Sequence, residues 1–237
     1  MPLINADVKG LEVVGCAYLS RDPVLRTEIL NNEDIHANNQ KAFNLPSRLI
    51  AKIFKFRMIY GGNEFSYASD PDFQQVSRST KFWLGVISDY YQKYSGIKVW
   101  HDELLRTVAS SGRLEMVTGR VYTFTRGGHY GLPETKIKNY PVQGLGADLV
   151  AIARVSLRTA LQRSGLEYRL VSSVHDSIVI DTPMENVYNI CMLMKQAVET
   201  VPDNFHKLFG VSFDLPLQCE IKVGQNLKQM ELYANPS

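Results

Sequence analysis

Ser47-Arg48-Leu49-Ile50-Ala51-Lys52-Ile53-Phe54-Lys55-Phe56-Arg57-Met58-Ile59-Tyr60-Gly61-Gly62 is the stretch on which the reading of this chain turns. Arg48, Lys52, Phe56 and Tyr60 recur at every fourth position, so a helix gathers them on one stripe. Ile50, Phe54 and Met58 fall on the opposite side, where they can bury against a core. Ser47 can cap the start, and Gly61-Gly62 ends the helix. The stripe runs from two cations to two aromatic rings. That order suits a nucleoside triphosphate, with fixed positive charge for the phosphates and flat surfaces for a base. For the helix alone the plainer account, an amphipathic helix with a solvated basic face, is preferred. Two further stretches overturn that preference.

The chain of 237 residues, 45% hydrophobic, suffices for one large or two small domains. A formal net charge of +2 gives no global field for nucleic acid, so such a site has to come from local clustering. Cys16, Cys191 and Cys219 are odd in number and widely spaced, which is neither a disulfide framework nor a zinc pattern and fits a reducing compartment. No signal peptide or membrane-spanning apolar run is visible, and the expectation is a soluble intracellular protein.

Leu3 to Asp7 reads as a short strand, and helical patterns cover Leu11 to Leu30 with a break at Asp22-Pro23. A short helix is expected from Ile35 to Phe43, ahead of the central one. Asn63 to Ser77, polar and containing Asp70-Pro71, reads as a mobile loop. Long helices are expected over Ser79 to Tyr94, Lys98 to Ser110 and Gln143 to Arg163. Short strands flank Gly119-Arg120 and end before Arg126-Gly127-Gly128. The period then changes to two, and Tyr168 to Val174 and Ser177 to Asp181 read as a hairpin around His175-Asp176. A helix over Met184 to Glu199 and a strand over Leu217 to Val223 complete an α+β order.

A carboxylate on a tight turn, Asp176, is pushed out of its sheet, although Asp is also simply a good turn former. Asp7 ends the first strand. If both strands share a sheet, the two carboxylates can face each other over one edge and bind two divalent ions about 3.5–4 Å apart, the arrangement for in-line phosphoryl displacement. Magnesium suits such a site because it keeps waters and takes further ligands from phosphate.

These stretches resemble a family. Asp7-Val8-Lys9-Gly10-Leu11-Glu12, the Arg48/Lys52/Phe56/Tyr60-Gly61 helix and Val174-His175-Asp176 look like motifs A, B and C of family A DNA polymerases. Tyr18 to Asp22, Asp34-Ile35-His36, Thr118-Gly119-Arg120, Asn139 to Gly144 and Pro216 to Asn226 resemble lesser signatures of the same family, in the same order. The resemblance implies a palm of small antiparallel sheet plus helices and a mainly helical fingers subdomain. Residues 1–17 would be palm with motif A, 18–112 fingers with the motif B helix at 47–60, and 113–237 palm with the motif C hairpin at 168–181.

By the same resemblance, Asp7 and Asp176, with the backbone carbonyl of Val8, would hold two Mg2+ ions, for which Mn2+ could substitute. One ion would activate the primer 3′-hydroxyl and the other neutralise the leaving pyrophosphate. Arg48 and Lys52 would bind the triphosphate, with Lys52 placed to protonate the leaving group. His36 could add a phosphate contact. Phe56 and Tyr60 would guide the incoming sugar and the templating base. Glu12 would exclude a ribose 2′-hydroxyl. Asn139, Gln143 and His175 would touch the minor groove of the primer–template, with Thr118 and Arg120 as further DNA contacts. Lys136, Lys138, Arg154 and Arg158 could meet backbone phosphates or form a solvated helix face.

The departures are Ser177, where the cellular enzymes usually carry Glu, Val8-Lys9-Gly10 in place of Tyr-Ser-Gln, and Thr135 in place of an Arg. They are those of a divergent phage-type member. Thumb, early palm and any exonuclease lie ahead of motif A in the family, and only six residues precede Asp7 here. The expectation is therefore a polymerase core working on primer–template DNA and dNTPs with a second chain that supplies those parts. A single-subunit RNA polymerase core and a non-catalytic nucleic-acid-binding scaffold are the rival readings. Ser177 supports the first rival and Glu12 and Phe56 oppose it. The joint presence of Asp7, Asp176, Arg48 and Lys52 opposes the second.

Overall fold

The computed structural model describes residues 1–125 and 131–233. Arg126-Gly127-Gly128, before which the second of the short strands is expected to end, lies outside them. The expected α+β class is observed, and internal contacts divide the chain into Met1–Leu11 with Leu145–Ser237, and Glu12–Gly144.

The first unit is built on a five-stranded antiparallel sheet of order β4-β5-β1-β6-β7. Its strands are β1 (Leu3–Val8), β4 (Arg169–Val174), β5 (Ser177–Asp181), β6 (Cys219–Asn226) and β7 (Gln229–Leu232). β1 alternates strictly: Ile4, Ala6 and Val8 are buried and Leu3, Asn5 and Asp7 are half-buried. Period-two side chains on a sheet with one packed face require this division. Helix α10 (Val187–Glu199) packs against β1 and β6, burying Ile190, Cys191, Met194, Ala197 and Val198. Helix α11 (Val201–Phe209) adds Phe205, whose ring meets Phe209 at 4.8 Å and Phe213 at 5.5 Å. The reading of Leu217 to Val223 as a final strand missed α11 and β7. β7 depends on Asn226, whose Oδ1 accepts from Lys228 and Gln229 N–H at 3.0 Å and turns the chain.

The second unit holds α1 (Leu11–Ser20), α2 (Pro23–Leu30), α3 (Ile35–Ala42), α4 (Arg48–Ile59), α5 (Glu64–Ser69), α6 (Pro71–Gln74), α7 (Thr80–Lys93) and α8 (Ser95–Ser111). It also holds the ribbon of β2 (Arg113–Glu115) and β3 (Val121–Thr123) and the start of α9 (Glu134–Ser164). Ser47 Oγ accepts from Ile50 N–H at 3.2 Å and starts α4. Gly61, at φ +77°, ends it in a Schellman turn, with Gly62 N–H on Arg57 C=O at 2.7 Å and Gly61 N–H on Met58 C=O at 3.1 Å. The buried face of α4 meets an aromatic cluster, in which Phe54 and Tyr67 lie 5.0 Å apart and Tyr67 and Trp83 5.2 Å.

Two expectations are corrected here. Asn63 to Ser77 is no loop: it forms α5 and α6, capped by Asn63 and Asp70. Tyr67 and Phe73 enter the aromatic cluster, and Arg57 reaches Asp70 at 2.6 Å. Burial of two rings outweighs a polar composition whose polar residues are mostly caps. Helix α9 begins at Glu134 and not at Gln143, running through Pro141. An internal proline costs about 3 kcal/mol, and Ile137 offsets this by packing in a buried cluster with Val108, Leu114 and Phe124.

Lys55 lies on the inner face of α4, 0% exposed, with its Nζ 4.6 Å above the Tyr94 ring and no hydrogen-bond partner. Around it, Glu28 accepts from Lys93 Nζ at 2.8 Å and from Tyr94 Oη at 2.7 Å. Burial pushes the Lys55 ammonium down to about 7, against smaller opposing effects from Glu28 and Cys16 and an aiding one from Lys93. Below about pH 7 it is charged in both folded and unfolded chains and the burial cost is complete. Above that it folds neutral while the unfolded chain still binds a proton, so its penalty falls by roughly 1.4 kcal/mol per pH unit. Lys55→Met should therefore raise the urea midpoint at pH 7, and its advantage over wild type should shrink steadily towards pH 9.5. A constant advantage across that range would refute the neutral lysine.

Candidate active site

The first unit carries the two carboxylates singled out in the sequence, Asp7 and Asp176. Asp7 opposes Ser177 on one side and Glu220 on the other, on the sheet face away from Ile4, Ala6 and Val8. Val174 and Ser177 close a two-residue turn of His175 and Asp176. His175 takes φ +53°, a left-handed position uncommon for residues other than glycine. Beyond the turn, Val8 N–H donates to the Asp176 carbonyl at 2.9 Å. The ends of β1 and of the β4–β5 hairpin are thus bonded directly, so Asp7 at the end of β1 and Asp176 in the hairpin turn lie on neighbouring elements of one sheet. His175 is exposed, and Ser177 Oγ donates to the Val174 carbonyl at 3.1 Å, closing the hairpin.

Among the described residues no three His, Cys, Asp or Glu side chains form a ready cage for a metal. Asp7 and Asp176 with the Val8 carbonyl are nevertheless an all-oxygen donor set. It suits an ion such as Mg2+ that keeps water and takes the rest of its shell from phosphate. Glu220, opposite Asp7, is engaged by Lys222 at 2.9 Å, which holds its carboxyl below the usual range.

The second unit carries the basic and aromatic residues singled out in the sequence. Arg48 and Lys52 are exposed on α4, and Phe56 and Tyr60 are half-buried further along. Lys52 Nζ lies 5.9 Å from the Phe56 ring centre. The His36 ring is 6.0 Å from Phe56. Burial, with the Lys55, Arg48 and Lys52 cations, pushes His36 down to about 4, so it is neutral at pH 7.

Tyr60 and Glu12 meet through Gln143. The Gln143 amide donates to Tyr60 Oη at 2.6 Å and to Glu12 Oε1 at 2.8 Å. Burial and a hydrogen bond to Glu12 raise the Tyr60 hydroxyl far above its ordinary value, so it stays a donor. The three predicted residues form one triangle whose members fix each other's rotamers.

Asn139 lies one turn before Gln143 on α9, half-buried, with an unpaired Oδ1. Thr118 is half-buried with an unpaired hydroxyl, and Arg120 is exposed. Lys138 packs its stem on Gly61 and pairs with Glu134 at 3.1 Å, so it is not a free cation. Sequence reasoning gave no role to Arg57 or to the Asp34 carboxylate. Their signal lay in the Asp that caps α6 and in the Asp-x-His segment that opens α3.

Three comparisons bear on this site. The family model described as DNA polymerase family A matches residues 1–229. DNA polymerase I of Lactococcus lactis subsp. lactis is 28% identical over 211 residues, covering 83% of this chain and 24% of the relative. DNA polymerase I of Caldicellulosiruptor bescii is 25% identical over 237 residues, covering 94% of this chain and 26% of the relative. The chain thus spans about a quarter of the length of the curated relatives it matches. The solved POL domain of Pol1 from M. smegmatis, in complex with DNA primer-template and dNTP, superposes with a TM-score of 0.80 at 22% identity. It covers 95% of this chain and 40% of that one.

Gly144, next to Gln143, is pressed by the Tyr122 hydroxyl, which an added Cβ would strike, and by the Arg120 stem at 2.9 Å from it. Gly144→Ala should lower the stability by about 1–3 kcal/mol through overpacking. Gly85→Ala, on an exposed stretch of α7 with nothing near a new Cβ, should raise it by about 0.5–1 kcal/mol. Paired urea unfolding curves check both signs.

Proposed function

The chain belongs to DNA polymerase family A, and we propose that it carries the catalytic palm and the fingers of a template-directed DNA polymerase. The observation that supports this reading is the backbone bond from Val8, next to Asp7 at the end of β1, to Asp176 in the β4–β5 turn. In this reading Asp7, Asp176 and the Val8 carbonyl hold two Mg2+ ions. When bound, these ions supply Lewis acidity for attack of a primer 3′-hydroxyl on the α-phosphate of a dNTP and charge neutralisation at the leaving pyrophosphate. The first unit would supply the carboxylates, and the second the cations and rings. Residues 12–17 and 113–144 count as palm by their motifs and group with the second unit by contact.

Arg48 and Lys52 bind the triphosphate, and Lys52 Nζ delivers a proton to the leaving oxygen. His36, neutral, can donate one hydrogen bond to a phosphate without adding charge. Phe56 and Tyr60 offer flat faces to the sugar and base. Glu12, pinned by Tyr60 and Gln143, stands rigidly where an added 2′-oxygen would need room. Asn139, Gln143, His175, Thr118 and Arg120 contact the primer–template, whose minor groove offers acceptors at every base pair.

We read the thumb, early palm and any exonuclease as supplied by a second polypeptide, and the work as cytoplasmic. Support for the partner comes from β4, the outer strand of its sheet. It exposes Leu170, Val171 and Val174, a combination of free edge and apolar surface that invites a covering element. No helix among the described residues is long and apolar enough to cross a membrane.

Primer extension on a primed DNA template with Mg2+ and dNTPs tests the reading, with the chain alone and supplemented with lysate of its source. Extension should appear in one of the two and vanish with Asp176→Ala. Glu12→Ala should raise ribonucleotide incorporation relative to deoxyribonucleotide on the order of 100-fold. Extension that survives Asp176→Ala, or no extension even with the lysate, would refute the assignment.

A further inference from the structure

Asp34 has no place in the roles above, yet it holds the residue that opens the basic stripe. Arg48 Nε donates to Asp34 Oδ2 at 2.8 Å and to Oδ1 at 3.1 Å. The terminal guanidinium nitrogens of Arg48 find no protein acceptor among the described residues. Asp34 also caps α3, its Oδ1 accepting from Ala37 N–H at 3.1 Å. One short side chain therefore ties the start of α3 to the start of α4. Two residues further on, His36 lies beside Phe56, so the beginning of α3 runs along the functional stripe.

The pair is about half exposed, at 55% for Arg48 and 48% for Asp34. Exposed pairs contribute little to stability, so stability does not account for the geometry. Its effect on a ligand is larger. A free arginine loses much rotamer freedom when it is immobilised, and an anchor at Nε removes part of that cost before any ligand arrives. The remaining N–H groups form the planar fork that matches phosphate oxygens. Repulsion between Asp34 and a phosphate is screened by the solvent that reaches both partners.

We propose that Asp34 is a positioning residue for triphosphate binding, anchoring Arg48 through Nε so that its terminal nitrogens are presented to phosphate oxygens. The inference rests on the reading of Arg48 as a phosphate ligand. It adds that the carboxylate opening α3, a negative charge beside an anion site, strengthens anion binding.

Magnesium tripolyphosphate, titrated into the full chain and followed by NMR chemical shifts, is the probe. Asp34→Ser keeps a good helix cap but is too short to reach Arg48. Asp34→Asn keeps both the cap and an acceptor for Nε. Arg48→Ala should weaken binding. Asp34→Ser should weaken it about 5-fold, the effect of freeing one long side chain, and Asp34→Asn should recover most of that loss. In the Arg48→Ala background, Asp34→Ser should change nothing. If Arg48→Ala leaves the affinity unchanged, the phosphate role of Arg48 fails and the inference with it. If Arg48→Ala weakens binding but Asp34→Ser leaves it unchanged or tightens it, the inference alone fails. An equal loss from Asp34→Ser in both backgrounds also overturns it, since that would be a structural effect independent of Arg48.

Discussion

The antiparallel pairing of β1 between β5 and β6 is the constraint from which the acidic part of this protein follows. Ile4, Ala6 and Val8 bury on one side of that strand and meet Ile180, Ile178 and Cys219 across the ladders. With a side-chain period of two, Asp7 has to emerge on the opposite face. A slip of one residue would drive its carboxylate into the core and expose three apolar side chains, so the hydrophobic pattern sets the position of a charged group that it never touches. The last ladder bond, from Val8 to the Asp176 carbonyl, places the tip of the hairpin beside it.

In the second unit the same division of labour falls to the α4 helix. Its inner face, Ile50, Phe54 and Met58, is buried among aromatic rings, and this fixes the rotation of the helix. Arg48, Lys52, Phe56 and Tyr60 are turned away from that core as a consequence. The neighbours then hold the stripe at both ends. Asp34 meets Arg48 at the start, and Gln143 meets Tyr60 at the end. Arg57 lies over the Phe73 ring at 4.8 Å while reaching Asp70, which secures the short helices that follow. Lys55 is the exception, a buried amine on a face otherwise apolar.

Most of the helices and the β4–β5 hairpin were legible because their signals are local. The Asp22-Pro23 break is a cap followed by a proline at the first helical position, and Asp22 Oδ1 does accept from Leu25 N–H at 2.8 Å. Gly61 ends α4 where the pattern ends. The failures share one cause. Asn63 to Ser77 looked like a loop because Asn, Asp, Ser and Pro are turn formers as well as caps, and only the burial of Tyr67 and Phe73 decides between these uses. Pro141 weakens the first turns of α9, which the burial of Ile137 in a packed cluster nevertheless sustains. Asp22 Oδ2 also takes the Gly96 N–H at 2.8 Å, a contact that nothing near either residue announces.

The sequence by itself determined the α+β class, one carboxylate at a strand end and another on a hairpin turn, and a helix with cations and rings on one stripe. Each of these depends on residues within a few positions of one another, where backbone period and capping chemistry act directly. The tertiary structure alone decided that the end of β1 carrying Asp7 is bonded to the hairpin turn carrying Asp176, that Glu12, Tyr60 and Gln143 close a triangle, and that Asp34 holds Arg48. Those contacts join residues far apart along the chain. They are set by which apolar faces pack together, and the polar groups follow.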